Sequence, residues 1–293
     1  MPCVFGLRYF KHHTSTLTMT FTEKLRSAQE STQSVVCVGL DPDLQKMPAH
    51  LFSQFDQERA VYRFLAEIIA ATRDIASAYK PNWAFFEVLG VHGWRVLQKV
   101  LSEIPRDKIV IADAKRGDIG NTARMYAEAV FTQFNCDAIT VNPYMGADSV
   151  APFLAYPNRA AFVLGLTSNA GAADFEQLPV QVGHASMPLF QVVAQKVAEW
   201  GGSAKGTAGL VVGATQAADL LGLRGALPGM PFLIPGVGAQ GGNAQSAMQA
   251  GRSGPVIINA SRNILYASAG IDFADAAAHA AKTMRDELNR FRK

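Results

Sequence analysis

From residue 35 onward the chain alternates short apolar runs of β type with longer stretches whose apolar residues recur at helical spacing. The runs at 35–41, 78–83, 108–113, 138–142, 161–166, 208–213, 231–235 and 255–259 predict strands. Helices are predicted near 58–76, 91–103, 121–134, 147–155, 188–200, 215–221, 243–250 and 272–290. The strand runs are apolar on both faces, as strands must be when helices cover one side and other strands the opposite side. Eight strand–helix units in about 255 residues match an α/β fold of the (β/α)8 barrel type; a doubly wound open sheet is the structural competitor. No linker-like stretch or shift in composition divides residues 19–293, which read as one barrel domain. The longest stretch without periodicity, 169–187, follows the fifth strand, and a loop of that length in a compact domain points to function.

Residues 1–18 are mildly basic but have neither a continuous apolar stretch nor a small-residue cleavage site. They are expected to be a disordered extension or an over-called start. After Met19, the segment TFTEKLRSAQE reads as a capped helix led by Thr22.

Composition narrows the possibilities. Of 293 residues, 49% are hydrophobic and 17% charged, enough for a sizeable core and too apolar for a disordered chain. No apolar run approaches the roughly 18–20 residues of a membrane span. The formal charge is +3, with Arg8 and Lys11 supplying two of those charges near the start. The remainder is close to neutral, which leaves no broad footprint for nucleic acid. Any anion bound is therefore expected to be small and locally held. Cys3, Cys37 and Cys136 show no CxxC spacing, which fits a reducing cytoplasm, and Cys37 lies in an apolar run as a core residue. The six histidines have no paired ligand spacing, so no metal set is expected.

Chemistry collects in IADAKRGDIGNTA, residues 111–123. Asp113 and Lys115 are two apart on a strand, so their side chains share a face, and in a barrel that face is the interior. Charges there are costly unless paired. Asp118 breaks the two-residue period and is placed past the strand end, beyond the turn at Gly117. A surface salt bridge is the plainer alternative, but these charges, with Arg116, follow directly on the apolar IVIA.

Lys80 stands among aromatic residues in AYKPNWAFFE, where it must meet a carboxylate or lose its charge. Asp113 on the neighbouring strand is the natural partner; taken alone, Lys80 equally suits a Schiff-base nucleophile. The Gly-rich turn PGVGAQGG (235–242) and the segment NASRN (259–263), which carries Arg262, follow the last two strands. In barrels that corner is the usual phosphate site. A dinucleotide site is disfavoured, because no acidic residue follows the glycines at the required distance. Asp41 and the pair Thr167 and Ser168 close two further strands, suited to sugar hydroxyls and to a heterocycle respectively. All these positions fall at C-terminal strand ends, the rim where barrel enzymes keep their sites.

With DAKRGDIGNTA, KPNWAFFE, LTSN, PGVGAQGG and ASR in this order, the chain resembles the orotidine 5′-phosphate decarboxylase family, in its longer, bacterial-type branch, from about residue 35 to 285. The resemblance implies a (β/α)8 barrel that decarboxylates orotidine 5′-phosphate to uridine 5′-monophosphate in pyrimidine biosynthesis. It implies no metal or organic cofactor, and a homodimer with shared active sites. It implies Lys115 as proton donor to C6, Asp113 against the substrate carboxylate, and Lys80 holding Asp113 and contacting the ribose. Asp118, Ile119 and Thr122 would reach the partner subunit's site. Asp41 would bind ribose, Ser168 the pyrimidine, and Gln240 and Arg262 the phosphate. The alternatives are a metal-dependent sugar-phosphate aldolase or isomerase of the same superfamily, and a non-catalytic nucleotide-binding barrel.

Overall fold

The computed structural model describes residues 19–237 and 243–292. Eight parallel strands close into a barrel: β1 (Val36–Leu40), β2 (Ala78–Pro81), β3 (Ile109–Arg116), β4 (Ala138–Val141), β5 (Ala160–Leu166), β6 (Thr207–Val212), β7 (Phe232–Pro235) and β8 (Val256–Ala260). Each strand pairs with its sequence neighbours, and β8 returns to β1 with Val36 opposite Ile258. The closed sheet decides between the two architectures that the strand–helix alternation allowed.

Eight helices pack around the outside, at Gln57–Thr72, Gly90–Glu103, Gly120–Glu128, Ala147–Leu154, Leu189–Gly202, Ala217–Ala226, Ala244–Ala250 and Phe273–Asn289. The strands are buried on both faces, which explains their uninterrupted apolar character. One apolar layer lies between strands and helices and a second fills the barrel itself, where Cys37, Ala78, Ile111, Phe162 and Ile257 point inward. Cys37 is fully buried there, and burial pushes its thiol up to about 12. Among the described residues no helix is long and apolar enough to cross a membrane.

The bottom of the barrel is closed by α1 (Phe21–Thr32), which inserts Phe21 and Leu25 into the interior layer. The Phe21 ring meets Phe162 edge-on at 5.8 Å. The cap of α1 is Thr20 rather than Thr22. The Thr20 hydroxyl accepts the Glu23 N–H at 3.3 Å, and the Glu23 carboxylate accepts the Thr20 N–H at 2.8 Å. This reciprocal arrangement needs an acidic or amide side chain three residues after the cap, and the residue three after Thr22 is Leu25. Lys24 then anchors α1 by donating to both oxygens of Asp137, at 2.7 and 2.8 Å.

Two local findings depart from the sequence expectation. The stretch 169–187 is not an unstructured loop: it holds a short turn at Ala170–Asp174 and an exposed antiparallel hairpin pairing Pro179–Val182 with Ala185–Pro188. Gly183, at φ +62°, takes the first corner of its two-residue turn. Four-residue strands of such mixed polarity leave too short a pattern to read. The other departure is in β3, which runs three residues beyond the expected end at 113, through a bulge. Between the pairs Ala112–Ile139 and Arg116–Val141, β3 advances four positions and β4 only two.

Candidate active site

The C-terminal ends of β1, β2, β3, β7 and β8 surround a cavity of about 340 Å³ whose walls include Asp41, Lys80, Asp113, Gly236, Asn259 and Arg262. This is the barrel rim at which the sequence placed Asp41, Lys80, Asp113 and Arg262.

The centre is an ionic row. The Lys80 ammonium donates to Asp113 Oδ2 at 2.5 Å, and the Lys115 ammonium donates to Asp113 Oδ1 at 2.6 Å. Lys80 and Asp113 are buried, whereas half of the Lys115 side chain is exposed. Burial pushes the Asp113 carboxyl up, but Lys80 and then Lys115 pull harder and hold it well below the usual carboxylate range. Burial likewise works against the Lys80 charge; Asp113, and after it Asp41, outweigh that penalty and hold the ammonium above the usual lysine range. Lys80 therefore stays charged, and its partner is the one adjacency on β2 and β3 suggests.

Lys115 reaches Asp113 by an unusual route. It sits inside the β3 bulge with φ +46°, a left-handed conformation that costs an L-residue about 1–2 kcal/mol. Simple alternation along a strand is therefore not what brings the two side chains together. Thr140 on β4, buried and absent from the sequence reading, accepts the Lys115 N–H at 3.0 Å and donates to Asp113 Oδ1 at 3.1 Å.

Asp41, just past β1, is half-buried as a residue but carries an Oδ1 that is shielded from solvent and has no partner. Burial raises its carboxyl above the usual range against the pull of Lys80. The close approach beneath it needs Gly39, where a Cβ would stand 1.9 Å from Ser261 Oγ. Tyr266 was not anticipated: its hydroxyl donates to the Asp41 carbonyl at 2.5 Å and accepts the Asp43 N–H at 2.7 Å, fixing the turn after β1. Asn259 on β8 was also missed as a site residue. It is buried on the cavity wall with its Oδ1 unpartnered. An asparagine ending the apolar run PVIIN was the available signal.

The two polar residues after β5 separate in role. Thr167 is occupied, its N–H and hydroxyl donating to the Glu176 carboxylate at 2.6 and 2.8 Å. Ser168 Oγ is buried without a partner and lies so near Gly213 that a Cβ there would stand 2.3 Å away. Arg262 opens the short helix Arg262–Leu265 on the cavity wall, and its exposed guanidinium makes no ion pair among the described residues. Gln240 lies outside the described residues. Asp118 follows the end of β3, where its Oδ1 accepts the Ile119 N–H at 2.7 Å. It makes no ion pair within the described residues, and Ile119 and Thr122 beside it are exposed. The structure thus brings Asp41, Lys80, Asp113, Lys115 and Arg262 around one rim and leaves Ile119 and Thr122 exposed, with Asp118 half-buried, beyond the end of β3. Among the described residues no three His, Cys, Asp or Glu side chains gather as a metal-binding group.

A closed α/β barrel with a Lys–Asp–Lys row, buried at Lys80 and Asp113, on β2 and β3 and an arginine without an ion pair among the described residues just past β8, two strands from β2, defines a barrel enzyme for a small anionic substrate. The chain belongs to the Orotidine 5′-phosphate decarboxylase / HUMPS family, whose model matches residues 34–277. A curated protein of Dehalococcoides mccartyi named orotidine 5′-phosphate decarboxylase is 47% identical over 278 residues, which are 94% of this chain and 99% of that protein. Another of the same name from Janthinobacterium is 46% identical over 279 residues, covering 93% and 99%. Among solved structures, the OMP decarboxylase of Leishmania donovani matches with a TM-score of 0.78 at 36% identity, over 94% of this chain and 99% of that one.

Proposed function

We propose that this chain decarboxylates orotidine 5′-phosphate to uridine 5′-monophosphate and carbon dioxide, with the Lys80–Asp113–Lys115 row as its chemical centre. The observation that carries the reading is Asp113, buried and ionised between two ammonium groups. The decarboxylase names and near-complete coverage of the relatives support it over a sugar-phosphate aldolase.

In this reading Arg262 and the turn that begins at Gly236 hold the phosphate, Asp41 accepts from the ribose hydroxyls, and Ser168 meets the pyrimidine. Gln240 joins the phosphate site. The substrate carboxylate then lies against Asp113. At about 4 Å and an effective dielectric near 20, each such like-charge contact costs on the order of 4 kcal/mol. When the C6–carboxyl bond breaks, carbon dioxide leaves and the electron pair stays on C6, away from Asp113 and toward the Lys115 ammonium. Lys115 gives its proton to C6, and the neutral amine regains one from water through its exposed half. The attraction of Lys115 grows along this path while the repulsion by Asp113 falls, and that difference lowers the barrier.

The set of Asp118, Ile119 and Thr122 beyond the end of β3 suits a homodimer in which each subunit completes its partner's site; more than half of the Ile119 surface is exposed on the isolated chain. Cys37 and Cys136, both buried as free thiols, suit a reducing cytoplasm. Ultraviolet absorbance after addition of orotidine 5′-phosphate tests the activity. Loss of the substrate band, unaffected by EDTA, is expected. A spectrum that does not change removes the decarboxylase reading, and activity abolished by EDTA returns the metal-dependent alternative.

A further inference from the structure

The bulge in β3 solves one problem and creates another. It turns Lys115 back over Asp113, but it also takes the Lys115 N–H out of the ladder with β4, since β3 spans the gap with twice as many residues. A backbone donor shielded in part from water needs an acceptor. Thr140 Oγ1 provides it, and the same hydroxyl spends its single proton on Asp113 Oδ1. A hydroxyl with one accepted and one donated bond has no rotational freedom left. Thr140 thus ties the backbone of one ionic residue to the carboxylate of the other. Asp113 Oδ1 receives both Lys115 Nζ and Thr140 Oγ1, while Oδ2 receives Lys80, so the carboxylate is held from three directions. Arg116 supports the far side of the bulge: it pairs with Glu87 and lies over the Trp83 ring.

We propose that Thr140 is a positioning residue for this site, holding Lys115 in its left-handed conformation and orienting the Asp113 carboxylate toward the substrate. The inference rests on the decarboxylase reading for its kinetic consequence and on the hydrogen bonds alone for its structural one. Valine matches threonine in shape but has no hydroxyl; serine keeps the hydroxyl and loses the methyl group. Thr140→Val is expected to lower kcat about 10- to 100-fold, with KM changed less than threefold, because no binding contact is removed. Thr140→Ser is expected to stay within about threefold of wild type.

A Thr140→Val enzyme with wild-type kcat overturns the proposal, and so does a Thr140→Ser enzyme as slow as the valine variant, since packing and not the hydroxyl would then matter. Should Thr140→Val fail to fold, Thr140→Ala replaces it in the same comparison. A crystal structure of the variant decides independently of turnover. Lys115 displaced from Asp113 supports the role, and an undisturbed Lys115 at positive φ overturns it. Wild-type protein inactive on orotidine 5′-phosphate defeats the functional reading alone and leaves the crystallographic outcome to decide on Thr140.

Discussion

The Lys80 ammonium and the Asp113 carboxylate meet at 2.5 Å across neighbouring strands, each less than a tenth exposed. Neither charge is stable there without the other. Asp113→Asn is expected to cost about 3–5 kcal/mol, because it strands a buried lysine; urea unfolding at neutral pH measures the loss. The pair also fixes the pH dependence. The depressed Asp113 carboxyl contributes stability above its unfolded value of about 4 and loses it as pH falls through the lower folded value. The raised Lys80 ammonium contributes below about 10.4 and loses its contribution as pH climbs through the higher folded value. Stability measured between pH 2 and 5 should therefore fall more steeply with acid in wild type than in Asp113→Asn.

Lys115 is the donor whose removal should separate chemistry from binding. Lys115→Ala is expected to lose at least about 10³-fold in kcat, at the upper part of the range for a general acid. Uridine 5′-monophosphate should still bind by calorimetry, since Arg262 and Asp41 remain. Wild-type turnover in this variant would dismiss the assignment.

Arg262 touches no reacting atom, yet its contribution should appear in the rate. A charge-assisted contact to phosphate of about 1.5–3 kcal/mol corresponds to a fall of about 10- to 150-fold in kcat/KM for Arg262→Ala. An unaltered kcat/KM would place the phosphate elsewhere on the rim.

Asp41 should show the opposite balance of stability and function. A carboxyl raised in the folded state favours folding below its unfolded pKa, and that advantage disappears as pH rises through the folded value. Ionised, the shielded carboxylate is a liability to folding. Asp41→Asn is accordingly expected to raise Tm by about 2–4 °C for each kcal/mol regained, while KM for the nucleotide increases. A Tm that drops in differential scanning calorimetry counts against the assignment.

Ile119, just past the end of β3, is about half exposed on the isolated chain. In the proposed homodimer it is covered. Ile119→Asp should leave the circular dichroism spectrum intact, shift sedimentation toward monomer, and lower kcat/KM. A dimer of unchanged affinity would locate the subunit contact on another face.

Much of this arrangement was legible along the chain, and the reasons are local. Strands buried on both faces must be continuously apolar, so eight such runs separated by helical periods mark the barrel. A lysine inside one run and an aspartate ending the next must find each other, because water is not available to either. Thr140 and Tyr266 could not be found that way. Thr140 looks like any β-branched strand residue in AITV, and it becomes a link to the ionic row only through the register shift of β3 on β4. Tyr266 gains its role by reaching back more than two hundred residues to the turn after β1.

The sequence alone determined which apolar runs are buried and which charges need partners, because burial and periodicity depend on neighbours along the chain. Tertiary structure alone decided the left-handed turn at Lys115, the hydroxyl that braces it and the acceptors on Asp41 and Asn259 that stand without partners. Those depend on strand stagger and on the closure of β8 against β1, relations between segments that no local pattern encodes.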